Sequence, residues 1–208
     1  MKPLLRGHFH QAMFFIAFGA LVPLLFRCQN KLEYIAISIY ALCALAMFGI
    51  SSLYHRIHWE DKKRLLWKKL DHAGIYLMIA GSVTPIALLG LGNPSSQKIL
   101  FIFWGIALLG ILQSLFFVNM PKLLSAFFYL VAGYMITPYL AEINHQIGAQ
   151  NILFIILGGI CYSLGALCYG FKWPKLVPHI LGYHEVFHLF VNFGAAFHFL
   201  FIHSLIHS

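Results

Sequence analysis

Acidic residues are nearly missing from this chain: Asp and Glu number 6 among 208 residues, and all charged residues together make up 10%. A soluble domain of ordinary composition has roughly a quarter of its residues charged, so this composition argues against a water-soluble globular fold. The shortage of acid leaves a formal net charge of +8. The basic residues, however, are scattered between apolar runs and do not gather along one solvated face, which argues against nucleic acid as a partner. Cysteine is scarce as well. Cys28, Cys43, Cys161 and Cys168 form no C-x-x-C pair and three of them lie inside apolar runs, which leaves neither a disulfide framework nor a cysteine zinc cluster. Long polar stretches are also lacking. Only the segment from Arg56 to Leu70 is both long and charged, so residues 1–208 are read as one transmembrane domain with no separate soluble part.

Apolar residues are plentiful instead, at 61% of the chain. They fall into seven runs, at 8–26, 32–54, 72–92, 99–118, 122–141, 151–171 and 182–204. Each is about 20 residues long, the length that crosses a ~30 Å hydrocarbon core as an α-helix. The expected fold class is therefore all-α: an integral membrane bundle of seven transmembrane helices. The first run has Lys2 and Arg6 ahead of it, as a signal peptide would. It is long enough to span and no small-residue cleavage site follows, so it is read as a retained helix. Eleven Lys and Arg fall in the N-terminus and the second, fourth and sixth linkers, against three (Arg27, Lys31, Lys98) in the others. This asymmetry predicts a cytoplasmic N-terminus and, with seven spans, an outside C-terminus. Pro23, Pro85 and Pro138 are expected to bend their helices, and Gly74, Gly81, Gly105 and Gly110 to allow close helix approach.

Polar residues inside such spans are costly and point to function. The second run ends in Ser51-Ser-Leu-Tyr-His55, the third begins with Asp71-His72, and the seventh opens with His184-Glu-Val-Phe-His188. The alternating topology brings all three segments to the same leaflet. His184 and His188 are one turn apart and leave the same helix face. With His55 they make three neutral imidazoles, a donor set for tetrahedral Zn²⁺ with a fourth position open to water. Zinc lowers the pKa of such a water towards neutrality. Asp71 is placed to take its proton or orient it, and Ser51, one turn from His55, to hydrogen-bond within the site.

His184 to His188 also spell H-E-x-x-H, the pattern of zinc proteases in which the glutamate is the general base. No acidic residue follows to serve as a third ligand, and Val191 and Gly194 stand where the extended motif needs glycine and histidine. The protease reading is therefore set aside.

At these three segments, including Asp71 through Pro85, the chain resembles the bacterial hemolysin III family over nearly its whole length. That family is related to the progestin and adiponectin receptors and more distantly to alkaline ceramidases. The resemblance implies a seven-helix bundle in a bacterial cytoplasmic (inner) membrane, with an intramembrane zinc held by the positions matching His55, His184 and His188. It implies that Asp71 sits beside the zinc-bound water with Ser51 in the same site, and that a membrane lipid is the substrate or ligand, its amide or ester bond hydrolysed as in ceramide cleavage. The adiponectin receptors carry glutamine where Glu185 stands, so Glu185 is expected to face the interface or a neighbouring polar group. Two further readings stay open: a non-enzymatic homeostatic or receptor-like protein with structural zinc, and a hemolysin III-type channel or cytolysin.

The remaining histidines are read as structural. His203 and His207 are assigned to the opposite interface, and His8, His10, His58, His145 and His179 to helix ends or linkers. His198 shares a face with His184 but lies some ~21 Å along the axis, too far to be a ligand, and is expected to be a hydrogen-bonded core residue.

Overall fold

The computed structural model describes residues 3–177 and 179–206; Lys2 and His207 lie outside the described residues. The chain is helical: α1 (His8–Phe26), α2 (Lys31–Arg56), α3 (Asp61–Gly90), α4 (Ser95–Phe116), α5 (Lys122–Tyr134), a 3₁₀ turn (Thr137–Tyr139), α6 (Leu140–Ile147), α7 (Ala149–Phe171) and α8 (Tyr183–Ser204). There is no strand among the described residues, only an isolated bridge between Val177 and Leu181. Lys122–Ile147, made of α5, the turn and α6, counts as one span, so seven helices are long and apolar enough to cross a membrane.

Two boundaries differ from the sequence reading. The third span does not begin near residue 72. α3 starts at Asp61, because Lys, Arg and Leu are strong helix formers and the charged segment continues the helix outward. The connection after α2 shrinks to residues 57–60. The fifth span is broken, not merely bent. Pro138 has no N–H, and its ring clashes with the carbonyl four residues earlier, that of Tyr134, where α5 ends. The freed Tyr134 carbonyl accepts a hydrogen bond from the Thr137 hydroxyl. Pro23 and Pro85 stay inside continuous helices.

Neighbouring helices pack in the order α1, α2, α3 and α4, while α5 packs on α7, α7 on α8, and α8 back on α1. α3 is the most buried span and also touches α5, α6 and α8. Its inner length is rich in small residues (Ala73, Gly74, Ala80, Gly81, Ser82, Ala87), as expected where lipid supplies no hydrophobic drive and close packing must hold helices together. At Gly81 a Cβ would lie 2.3 Å from the Cβ of Cys43 on α2, so only glycine fits there. Gly105, expected at a close approach, has nothing within 4 Å of a would-be Cβ and is not at one. The outer surface is apolar: Phe26 and Phe101 are 86% and 85% exposed. A belt of such residues is stable facing acyl chains and unstable facing water.

Candidate metal centre

The last turn of α2 turns Ser51, Ser52 and His55 inward, all buried. The first turns of α8 do the same for His184, Glu185 and His188. α8 can start here because Glu185 serves its free N-terminal amides: Oε2 accepts from the Gly182 N–H at 2.9 Å. Glycine has no side chain to return the bond, so this is half of a capping box. The other carboxylate oxygen of Glu185 pairs with Arg6 Nε. Glu185 is fully buried, which corrects the interface placement and leaves the polar-neighbour alternative. Its carboxylate is committed to Arg6 and the helix start.

His55, His184 and His188 converge, with ligand-capable nitrogens all within 4.8 Å of one another. The Nε2 atoms of His55 and His184 are 3.1 Å apart, while His184 Nδ1 is buried without a hydrogen-bond partner. A tetrahedral ion with nitrogen ligands at about 2.0–2.1 Å holds them about 3.3 Å from one another. The three imidazoles thus stand within small adjustments of a ligand shell and could hold a metal ion. Asp71, from α3, places Oδ2 3.6 Å from His55 Nε2. Ser51 lines the same cavity as the three histidines and Asp71.

Of the remaining histidines, His72 lines this cavity too, but its Nδ1 lies 2.8 Å from the Lys68 carbonyl of its own helix. His203 Nε2 lies 3.0 Å from Arg27 Nη1. His198 is inside the fold, with the Ile155 backbone within hydrogen-bonding reach of its ring. It packs edge-on to Tyr162, with centroids 5.2 Å apart.

Three participants escaped the sequence reading. His10 does stand at a helix end, in the first turn of α1, but it faces inward: it is 3% exposed and stacks flat on His188, centroids 3.7 Å apart and planes 6° apart. It belongs to the buried stripe of α1 (His10, Ala17, Leu21, Leu24), one helix face, which the sequence does not mark because α1 is apolar all round. Asn192, one turn beyond His188, donates to the Phe9 carbonyl at 3.0 Å and ties α8 to α1. Gly7 has φ +83°, and a Cβ there would come within 2.7 Å of the His55 Cβ. Glycine is required at that point both for backbone geometry and for room beside a candidate ligand.

The cavity holding these groups has a volume of about 550 Å³ and runs from Arg6, Lys68 and Asp71 to Ser163 and His198 deep in the bundle. By the helical rise, His198 lies about 15 Å along the axis from His188. Most of the wall is apolar, including Met78, Ile86, Leu130 and Val191. A groove of about 510 Å³ lies between α5 and α7, and Ala126, Leu130 and Ala166 line both it and the cavity.

Comparison with known proteins gives one consistent result. Residues 1–199 match the family model described as haemolysin-III related. "Hemolysin-3" of Bacillus cereus is 33% identical over 162 residues, 78% of this chain and 71% of the relative. The human "Monocyte to macrophage differentiation factor" is 28% identical over 172 residues, 80% of this chain and 68% of the relative. The "ADIPOR-like receptor IZH1" of Eremothecium gossypii is 28% identical over 186 residues, 80% of this chain and 58% of the relative.

Proposed function

The chain belongs to the haemolysin-III related family, and from that premise we propose that it is a zinc-dependent membrane hydrolase cleaving an amide or ester bond of a membrane lipid. The observation that carries this reading is the convergence of three buried histidines beside Asp71 in a long, largely apolar cavity. Three imidazoles with no thiolate suit zinc. When bound, zinc supplies Lewis acidity that polarises a carbonyl and acidifies a water.

The chain's own groups do the rest. His55, His184 and His188 would hold the ion, with the ring of His188 braced by His10. Asp71 Oδ2 receives a proton from the attacking water and passes it towards the leaving group. Ser51 offers a hydroxyl to a substrate oxygen. The apolar length of the cavity takes an acyl chain and keeps bulk water from the reaction. The thin wall shared with the α5–α7 groove supports lateral access from the bilayer. In this reading the N-terminus is cytoplasmic, the C-terminus is outside, and the bilayer is a bacterial inner membrane.

Mass spectrometry of lipids copurified with wild type and with Asp71→Asn tests the proposal. An intact N-acyl or ester lipid retained only by the variant is expected. Undiminished turnover by fully metal-stripped protein would sink it. A second reading draws on the burial of the triad between α2 and α8: zinc braces the helices and no lipid is cleaved. Metal removal would then lower the melting temperature without any lipid product having been formed. A third follows the name of the Bacillus cereus relative, and conductance from purified protein in planar bilayers is its mark.

A further inference from the structure

The cavity has a cationic end that the hydrolytic chemistry does not use. Arg6, Lys68 and Lys122 all line it. Lys68 lies one turn before Asp71 on α3, and its Nζ donates to Asn119 Oδ1 at 2.8 Å. Lys122 opens α5, and its Nζ donates to the Tyr183 hydroxyl at 2.6 Å. It also sits over the rings of Tyr169 and Tyr183 at 4.8 and 4.7 Å. Tyr183 is the residue before His184, and Tyr169 packs against the His184 ring with centroids 5.7 Å apart. Both ammonium groups therefore stand at the histidine end of the cavity.

Neither lysine has a carboxylate within ion-pair distance among the described residues. The nearby acids are committed elsewhere, Glu185 to Arg6 and the start of α8, and Asp71 beside His55. Half-buried cations held only by neutral acceptors keep unused hydrogen-bonding capacity, since each ammonium has three donors. Charge-assisted bonds to an anion are the strong ones for such groups. Beyond this end the cavity wall is mostly apolar and carries no Lys, Arg, Asp or Glu, which suits an alkyl chain and not a second charge.

We propose that Lys68 and Lys122 form a headgroup subsite for a phosphate-bearing amphiphile, so that the lipid acted on carries an anionic phosphate near its scissile bond. This rests on the lipid-hydrolase reading and names its substrate class. Arg6, at the same end, is neutralised by Glu185, which leaves the two lysines as the cations there that meet the anion. The apolar chain of the ligand extends towards Ser163 and His198.

The test uses metal-loaded protein in phosphatidylcholine nanodiscs and two probes with no carboxylic amide or ester bond, hexadecylphosphonate and hexadecanol. Binding is read by displacement of a fluorescent acyl probe. Wild type is expected to prefer the phosphonate by about tenfold or more, the ratio falling to about threefold or less in K68Q/K122Q and persisting in K68R/K122R. Lys98→Gln, at the opposite end of the bundle, should leave the ratio unchanged. Equal binding of the two probes by wild type overturns the proposal. So does a phosphonate preference that survives K68Q/K122Q and vanishes on stripping the metal, because the ion alone then binds the anion. Inorganic phosphate that displaces the probe as well as hexadecylphosphonate does, mole for mole, assigns the subsite to free phosphate and overturns the lipid assignment. Neither probe is a substrate, so headgroup preference without any lipid hydrolysis defeats the hydrolase reading alone, and hydrolysis without headgroup preference defeats this proposal alone.

Discussion

His188 meets two demands with one imidazole. One edge faces His55 and His184, and one face is covered by His10. His188→Ala removes a ligand, so metal content measured on purified protein by elemental mass spectrometry should fall from about one ion per chain towards zero. Asp71→Asn should keep the metal and lose about a hundredfold or more in turnover. His10→Ala frees the His188 ring to tilt, and metal affinity measured by chelator competition should weaken about tenfold to a hundredfold, with His10→Phe restoring much of it. The histidine trio could be read from the chain because H-x-x-x-H on a helix is a local pattern and the third member closes a neighbouring span. His10 could not be found that way. A single histidine early in an apolar run has no pattern of its own, and its importance comes from which face of α1 meets α8.

At the scale of elements, α8 begins where it does because Glu185 satisfies its first turn and pairs with Arg6. In sequence the same glutamate imitated a protease base, since a five-residue motif does not record what the carboxylate touches. Glu185→Ala strands the Arg6 charge and uncaps the helix, and should cost about 3 kcal/mol or more, read as a drop in thermal unfolding temperature. Glu185→Gln should be milder and should retain metal and turnover, an outcome a protease-type general base would not allow. The start of α3 and the break after Tyr134 were misplaced from sequence for opposite reasons. In the first case helix-forming charged residues resemble a linker when judged by hydropathy alone. In the second, Pro138 bends or breaks a span according to whether neighbours rebuild the lost turn, and here Thr137 closes it as a 3₁₀ turn.

For the whole molecule, seven spans could be counted from composition because the bilayer fixes their length. How they pack could not, because lipid-facing and buried positions in such helices are equally apolar. Gly81 shows the difference. It looks like one small residue among many, yet it sets how closely α2 and α3 approach. Gly81→Val should therefore lower the yield of folded protein and displace Asp71 from His55, seen as turnover lost along with stability. Stripping the metal should lower the unfolding temperature and make it depend on added zinc, as binding to the folded state alone requires. Single-cysteine labelling from either side of intact cells should find the α2–α3 connection cytoplasmic, and labelling from outside would overturn the proposed orientation.

His55 and His184 are separated by 129 positions in the chain. During synthesis His55 reaches the bilayer long before its partners exist, and the first six spans, α1 to α7, can all be inserted before His184 and His188 are made. In the proposed centre an ion can be captured only after the final span, α8, has brought His184 and His188 up to His55. Under that proposal metal occupancy is a stamp of completed assembly: a chain stalled before α8 is metal-free however well its earlier helices are packed, and a protein loaded with the ion has finished its biogenesis.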